Sequence, residues 1–89
     1  MRRSRIRIIM DILEVVEGEG SARPTHILYG ANLSYERLTR YLKELEEKGL
    51  LKSERRGGAR VYRLTREGAR LLHELRRIEK LARAFGIEL

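Results

Sequence analysis

The sequence predicts a mainly α-helical fold with a small β-hairpin in its second half. Apolar residues recur at helical spacing in three separate segments, Ser and Thr stand where helices would begin, and a Gly-Gly pair separates two short apolar stretches. With 89 residues, we expect one domain over 1–89. The hydrophobic content of 42% allows a small core, which excludes a disordered chain.

The first two helices follow from their ends. A helix is predicted over 5–17, because Ser4 can cap its start and Gly18 lies just beyond its apolar residues. A second, short helix is predicted over 24–29. Pro24 suits a first helical turn, and Gly30 suits a left-handed end.

A third helix and a hairpin follow after a short turn. Ser34 can cap a helix over 34–48 whose apolar stripe consists of Leu38, Leu42 and Leu45. Residues 50–64 flank the Gly-Gly pair and predict two short strands. Thr65 then caps a last helix over 66–84. This order predicts a winged helix-turn-helix over 5–65, with a long C-terminal helix.

The net charge of +7 is concentrated in two segments. Residues 1–7 and residues 49–63 each carry +4, whereas 8–48 carry −3 and 64–89 carry +2. A small protein this basic favours polyanions, of which nucleic acid is the commonest. The arm Arg2–Arg7 has two interpretations that the sequence leaves equal: it wraps on DNA, or it frays.

The third helix carries its cations early and its anions late. Arg37, Arg40 and Lys43 lie in its first two-thirds, against the preference of the helix dipole. A helix-turn-helix places this part of its second helix in the DNA major groove, where cations fit. The alternative is a solvated face paired with glutamates three or four residues away.

The hairpin tip carries Arg55, Arg56 and Arg60 close together. These arginines repel one another, and an adjacent phosphate backbone would relieve the repulsion. The alternative is an ordinary polar turn.

The last helix predicts a dimer. Leu71, Leu75, Ile78, Ala82 and Phe85 are spaced four, three, four and three residues apart, which gives two heptads of a coiled-coil seam over residues 66–85. We expect the part beyond Leu75 to pair with a second copy. The alternative is that the whole stripe packs on the first helix of the same chain.

Other functional classes find little support in the sequence. There is no cysteine, the two histidines stand alone, and no serine has a nucleophile's partners at a useful spacing. We therefore expect no enzyme, no metal, no cofactor and no small-molecule ligand. No apolar stretch reaches the length that a bilayer requires, so a cytoplasmic, nucleoid-associated protein is expected.

The run from Thr25 to Tyr35, with its Asn-Leu-Ser-Tyr turn, is similar to archaeal winged-helix proteins of the 10a chromatin type, and the Tyr-Arg-Leu-Thr junction at 62–65 resembles winged-helix domains generally. The resemblance implies a homodimer joined by an antiparallel coiled coil, binding double-stranded DNA with low sequence specificity. It assigns DNA contacts to Ser34, Tyr35, Arg37, Arg40 and Lys43 on the third helix, and to Arg55, Arg56 and Arg60 on the wing. Pro24 departs from the family, where a Lys is expected.

The sequence thus predicts a homodimeric double-stranded DNA-binding protein, either chromatin-like or a transcriptional regulator. The recognition helix over 34–48 is expected in the major groove, and the wing over 50–64 on the backbone or minor groove. Two alternatives stay open: a protein–protein adaptor of the transcription machinery, and an RNA-binding module.

Overall fold

Four helices and one antiparallel hairpin make up residues 3–89, the part of the chain that the computed structural model describes. The elements are α1 (Arg5–Glu19), α2 (Pro24–Ala31), α3 (Tyr35–Glu47), β1 (Leu51–Arg56), β2 (Ala59–Leu64) and α4 (Arg66–Ala84). Their order and type confirm the predicted winged helix-turn-helix with a long C-terminal helix.

Side-chain oxygens cap three of these helices, as predicted. The hydroxyls of Ser4, Ser34 and Thr65 accept hydrogen bonds from the backbone N–H groups three residues later, at 3.0, 3.2 and 3.0 Å. Each bond satisfies a donor that the first helical turn leaves without an intrahelical partner. α2 has no side-chain cap and begins with Pro24, whose missing N–H costs nothing there.

The prediction that Gly30 ends the second helix is wrong. α2 continues to Ala31, and Asn32 forms the left-handed end with a φ of 53°. Gly30 serves a different purpose, because a Cβ atom at this position would lie 2.6 Å from Cγ2 of Val15. The missing side chain lets α2 approach α1 closely. α1 also runs two residues past its predicted end, to Glu19.

The core lies where α1, α2, α3 and the first half of α4 meet. Its fully buried side chains come from every helix and from β1; examples are Ile12, Leu13, Ile27, Leu38, Leu45, Leu51 and Leu72. Burying an aliphatic side chain of this size contributes about 1.5–3 kcal/mol. The start of α4 is therefore part of the winged-helix core.

The hairpin pairs Leu51 with Leu64 at its base and Arg56 with Ala59 at its tip. Gly57 and Gly58 form the two-residue turn with φ values of 57° and 78°, as a type I′ turn requires. Beside β2, Ala22 and Tyr62 exchange two backbone hydrogen bonds of 2.9 and 2.8 Å. This bridge fixes the hairpin to the loop between α1 and α2.

Gly30→Ala should destabilise the protein by about 1–3 kcal/mol, because the added methyl group overpacks the contact with the stiff side chain of Val15. Gly18→Ala is the matched control, since no atom lies within 4 Å of a Cβ there. It should stabilise α1 by about 0.5–1 kcal/mol. Urea denaturation followed by circular dichroism measures both changes. Equal effects of the two substitutions would contradict the close approach.

Candidate nucleic-acid interface

α3 buries only one narrow stripe of its surface. Leu38, Leu42 and Leu45 face the core, and the remaining side chains form three rows. The wing flank consists of Tyr35, Thr39, Lys43 and Glu46; the front of Glu36, Arg40 and Glu47; and the arm flank of Arg37, Tyr41 and Glu44. At about 100° per residue, the wing flank and the arm flank lie roughly 170° apart.

The wing flank and the hairpin enclose a cleft of about 500 Å³. The hydroxyl of Ser53 donates a hydrogen bond of 2.6 Å to the Glu46 carboxylate. A guanidinium nitrogen of Arg60 in turn donates to the Ser53 hydroxyl at 3.2 Å. Lys43 and Arg60 line this cleft from opposite sides. The hydrogen bonds hold the hairpin at a fixed distance from α3.

The three predicted wing arginines divide between the two faces of the hairpin. Arg55 and Arg60 are direct cross-strand partners, and they share the face that carries Ser53. Neither makes an ion pair with any residue between 3 and 89. Arg56 lies on the opposite face, where Glu54 accepts ion pairs from Arg56 at 3.2 Å and from Arg63 at 3.6 Å. Arg55 and Arg60 therefore place unpaired positive charge on the side of α3, whereas the opposite face holds Lys52, Arg56 and Arg63 against the single carboxylate of Glu54.

The ion pairs with glutamates that the alternative of a solvated face predicts for α3 are present only in part. Arg40 lies 3.8 Å from Glu36, and the Glu44 carboxylate that could pair with Arg40 binds Arg5 and Lys48 instead. Ser34 is occupied as the helix cap, whereas Tyr35 is exposed on the wing flank. The sequence analysis missed Thr39, which shares that flank. Its place beside Tyr35 and Lys43 on a helical wheel was the available signal.

Arg3, Arg5 and Arg7 bind other parts of their own chain, so these three side chains are not frayed, and DNA contact by the arm stays a prediction. Arg3 donates to Asp11 at 2.7 Å and to the carbonyl oxygens of Ala31 and Asn32 at 2.5 and 2.7 Å. Arg7 forms an ion pair with Glu79 on α4. Arg5 forms an ion pair with Glu44 on α3. Arg2 lies outside the described residues.

Arg5 closes a second cleft, on the arm flank of α3. This cleft has a volume of about 410 Å³ and is lined by Arg5, Arg37, Arg40, Tyr41 and Glu44. The Arg5 guanidinium lies 5.7 Å from the centroid of the Tyr41 ring, within range of a cation–π interaction. Its hydrogen bond to Glu44 lowers the pKa of that carboxyl group, and Lys48 adds to the effect.

The apolar seam predicted on α4 divides between the core and the surface. Leu71 packs against the core and Leu75 is 8% exposed, so both are occupied within the monomer. Ala82 is partly buried. Ile78, Leu81 and Phe85 are 52%, 62% and 74% exposed. The exposed row is thus Ile78, Leu81 and Phe85, and includes a leucine outside the predicted seam.

Within the described part of the chain, no helix combines the length and the apolar character needed to cross a bilayer. Across the same residues, His, Asp and Glu side chains form no group of three that could hold a metal ion.

The family model described as winged helix-turn-helix matches residues 2–83. The chain belongs to the winged helix-turn-helix family. Among solved structures, this winged-helix chain is similar to Sso10a-2, a DNA-binding protein from Sulfolobus solfataricus. The identity is 25% over 93% of this chain and 85% of that one, with a TM-score of 0.83. These two matches confirm the resemblance to the archaeal 10a type. No curated protein matches the chain.

Two further structures share the fold at lower identity. One is the transcriptional regulator BldR from Sulfolobus solfataricus, with 18% identity and a TM-score of 0.76. This match covers 88% of this chain and 58% of that chain. The other is the oxidized form of MarR from E. coli, with 18% identity and a TM-score of 0.73. This match covers 85% of this chain and 60% of that chain. The winged-helix chain therefore spans little more than half of these two proteins.

Arg5→Met should raise the pKa of Glu44 toward its ordinary value, because the hydrogen bond from Arg5 is the main cause of its lowered pKa. Because the folded-state pKa of Glu44 lies below its unfolded-state pKa, the pair stabilises the protein fully at pH values above the unfolded-state pKa. The contribution is lost as the pH falls through the lowered pKa. NMR titration of the Glu44 carboxyl carbon measures the shift. An unchanged pKa in the variant would contradict the ion pair.

Proposed function

We propose that this winged helix-turn-helix protein binds double-stranded DNA as a homodimer, with α3 in the major groove and the wing against the backbone or the minor groove. The observation that carries the proposal is the cross-strand pair of Arg55 and Arg60 beside α3. Like charges directly opposite each other destabilise a hairpin. Phosphate groups next to the tip would offset that repulsion, and within residues 3–89 no carboxylate does so.

The dimensions of α3 suit this arrangement. A helix with its side chains is about 10–12 Å across, and the major groove is about 12 Å wide. With its leucine stripe facing the core, α3 would present its front, with Arg40, to the base edges. Tyr35, Thr39 and Lys43 on the wing flank would lie between the bases and the strand beside the wing. Arg55 and Arg60 would contact phosphates, which supply affinity without sequence information.

The similar proteins support the same function. Sso10a-2 is named as a DNA-binding protein and BldR as a transcriptional regulator. For this chain we infer a binding role rather than a catalytic one, on the nucleoid, as a chromatin-like protein or as a regulator. A protein that holds DNA mainly through phosphate contacts is expected to discriminate little between sequences.

Wild-type protein should bind two labelled duplexes of unrelated sequence with similar affinity and a steep salt dependence, measured by fluorescence anisotropy. Arg55→Ala with Arg60→Ala should weaken binding to both duplexes alike, because phosphate contacts carry no sequence information. The slope of log K against log salt should become less steep by about 1.8, or about 0.9 for each contact removed.

Arg56→Ala with Arg63→Ala is the matched control. It removes the same charge from the same hairpin, but from the face turned away from α3, where both arginines pair with Glu54. Its slope should change by less than half as much. Equal slopes for the two double variants would contradict the proposed orientation of the wing. Failure of the wild-type protein to bind either duplex would favour the adaptor, and stronger binding to double-stranded RNA would favour the RNA-binding module.

The second copy would dock on the exposed row of α4. Ile78, Leu81 and Phe85 are separated by three and four residues, so they form one stripe along the helix. The N–H of Ile87 donates to the carbonyl of Ala82 and the N–H of Gly86 to that of Arg83, which ends α4 in a Schellman motif. Ile87, just beyond this ending, is a further exposed apolar side chain.

Ile78→Asp with Leu81→Asp should convert the dimer into monomers, because two carboxylates on the stripe would lose their hydration in the interface. Sedimentation velocity measures the mass. His73→Asp is the control, since it adds a carboxylate to an exposed position of α4 outside the row, roughly 80–140° around the helix from its three residues. A double variant that sediments like the wild-type protein would contradict dimerisation through this row.

A further inference from the structure

The cleft on the arm flank has no role in the function proposed so far. Its lining combines three guanidinium groups, those of Arg5, Arg37 and Arg40, with the single carboxylate of Glu44 and the ring of Tyr41. We propose that this cleft is a second phosphate site, which binds the DNA strand on the side of the major groove opposite the wing. The inference rests on the proposed function and adds α1, through Arg5, to the interface.

The position of the cleft on α3 indicates that it faces the DNA strand opposite the wing. A helix that fills the major groove has a sugar-phosphate strand along each of its flanks, because the helix and the groove have nearly the same width. The wing occupies one flank. The arm flank lies roughly 170° around α3 from the wing flank, so its side chains face the other strand. Arg37 and Arg5 are the cations available there.

The charges in the cleft favour an anion. In the free protein, the Glu44 carboxylate accepts the hydrogen bond from Arg5, while its second cation, Lys48, lies 3.5 Å away. A phosphate oxygen can take the place of this carboxylate on Arg5, since both are anions that accept charge-assisted hydrogen bonds. Glu44 would then keep Lys48 as its partner. The exchange needs a change only in the side chain of Arg5, because Lys48 is already in place.

Arg5 differs from the other arginines of its segment. The side chains of Arg3 and Arg7 are 29% and 23% exposed, and both are engaged with other helices or with the end of α2. The side chain of Arg5 is 62% exposed and bonds to one carboxylate at the rim of the cleft. Arg3 and Arg7 therefore hold parts of the fold together, whereas the exposed guanidinium of Arg5 can exchange its carboxylate partner for a ligand.

The test compares two interhelical ion pairs in the full-length protein by duplex-DNA anisotropy over a range of salt. Arg5→Met should weaken binding roughly three- to tenfold and make the salt slope less steep by about 0.9. Arg5→Lys keeps the charge and should restore most of the slope. The control is Arg76→Met, because Arg76 pairs with Glu17 at 2.9 Å and with Glu14 at 3.3 Å on a surface formed by α4 and α1, away from α3. It should leave the slope nearly unchanged.

Substitution of the carboxylate residue in each pair gives a variant that leaves Arg5 in place. Glu44→Gln removes the competing anion from the cleft and should strengthen DNA binding, whereas Glu14→Gln, with the same change in net charge, should have a smaller effect. Thermal unfolding of each variant, followed by circular dichroism, identifies any loss of affinity that comes from unfolding. If Arg5→Met unfolds, the comparison of Glu44→Gln with Glu14→Gln decides the question.

The outcomes separate this inference from the proposed function. Wild-type protein that binds no duplex overturns both. Wild-type protein that binds, while Arg5→Met matches Arg76→Met and Glu44→Gln matches Glu14→Gln, overturns the phosphate site and leaves the function of α3 and the wing intact. Inorganic phosphate that competes with DNA no better for the wild-type protein than for Arg5→Met would also count against the site.

Discussion

The burial of Leu38, Leu42 and Leu45 fixes the rotation of α3 about its own axis, and the functional surfaces depend on that rotation. Three buried leucines contribute on the order of 5–9 kcal/mol if each supplies about 1.5–3 kcal/mol. Turning the helix by one residue would expose this stripe and bury charged side chains. Because the stripe is narrow, the helix keeps two flanks and a front for other contacts, one flank facing the wing and the other facing the start of α1.

Charge is arranged on the hairpin and on α3 at some expense of local stability. Arg55 faces Arg60 across the strands, and no basic residue lies in the last turn of α3, where the helix dipole favours one. Each of these features costs a fraction of a kcal/mol to about 1 kcal/mol. The buried core offsets this cost. Conflicts between local preference and global fold are expected where side chains serve binding.

Local signals in the sequence were sufficient for the order of elements, the caps and the hairpin turn, because each depends on residues within about four positions of one another. The prediction for Gly30 was wrong because its role depends on a distant residue. The absence of a side chain at Gly30 makes room for Val15 on another helix. The same limit applied to Arg5, because its partner Glu44 lies 39 residues away on another helix.

Net charge alone therefore does not locate a nucleic-acid interface in this protein. The first seven residues and the hairpin segment carry the same charge of +4, yet their arginines behave differently. Arg3 and Arg7 are neutralised by Asp11 and Glu79, so their charge holds helices together. Arg55 and Arg60 form no ion pair within residues 3–89. Arg5 is intermediate, because its carboxylate lies at the rim of a cleft with two more guanidinium groups, where we propose that a phosphate group replaces it.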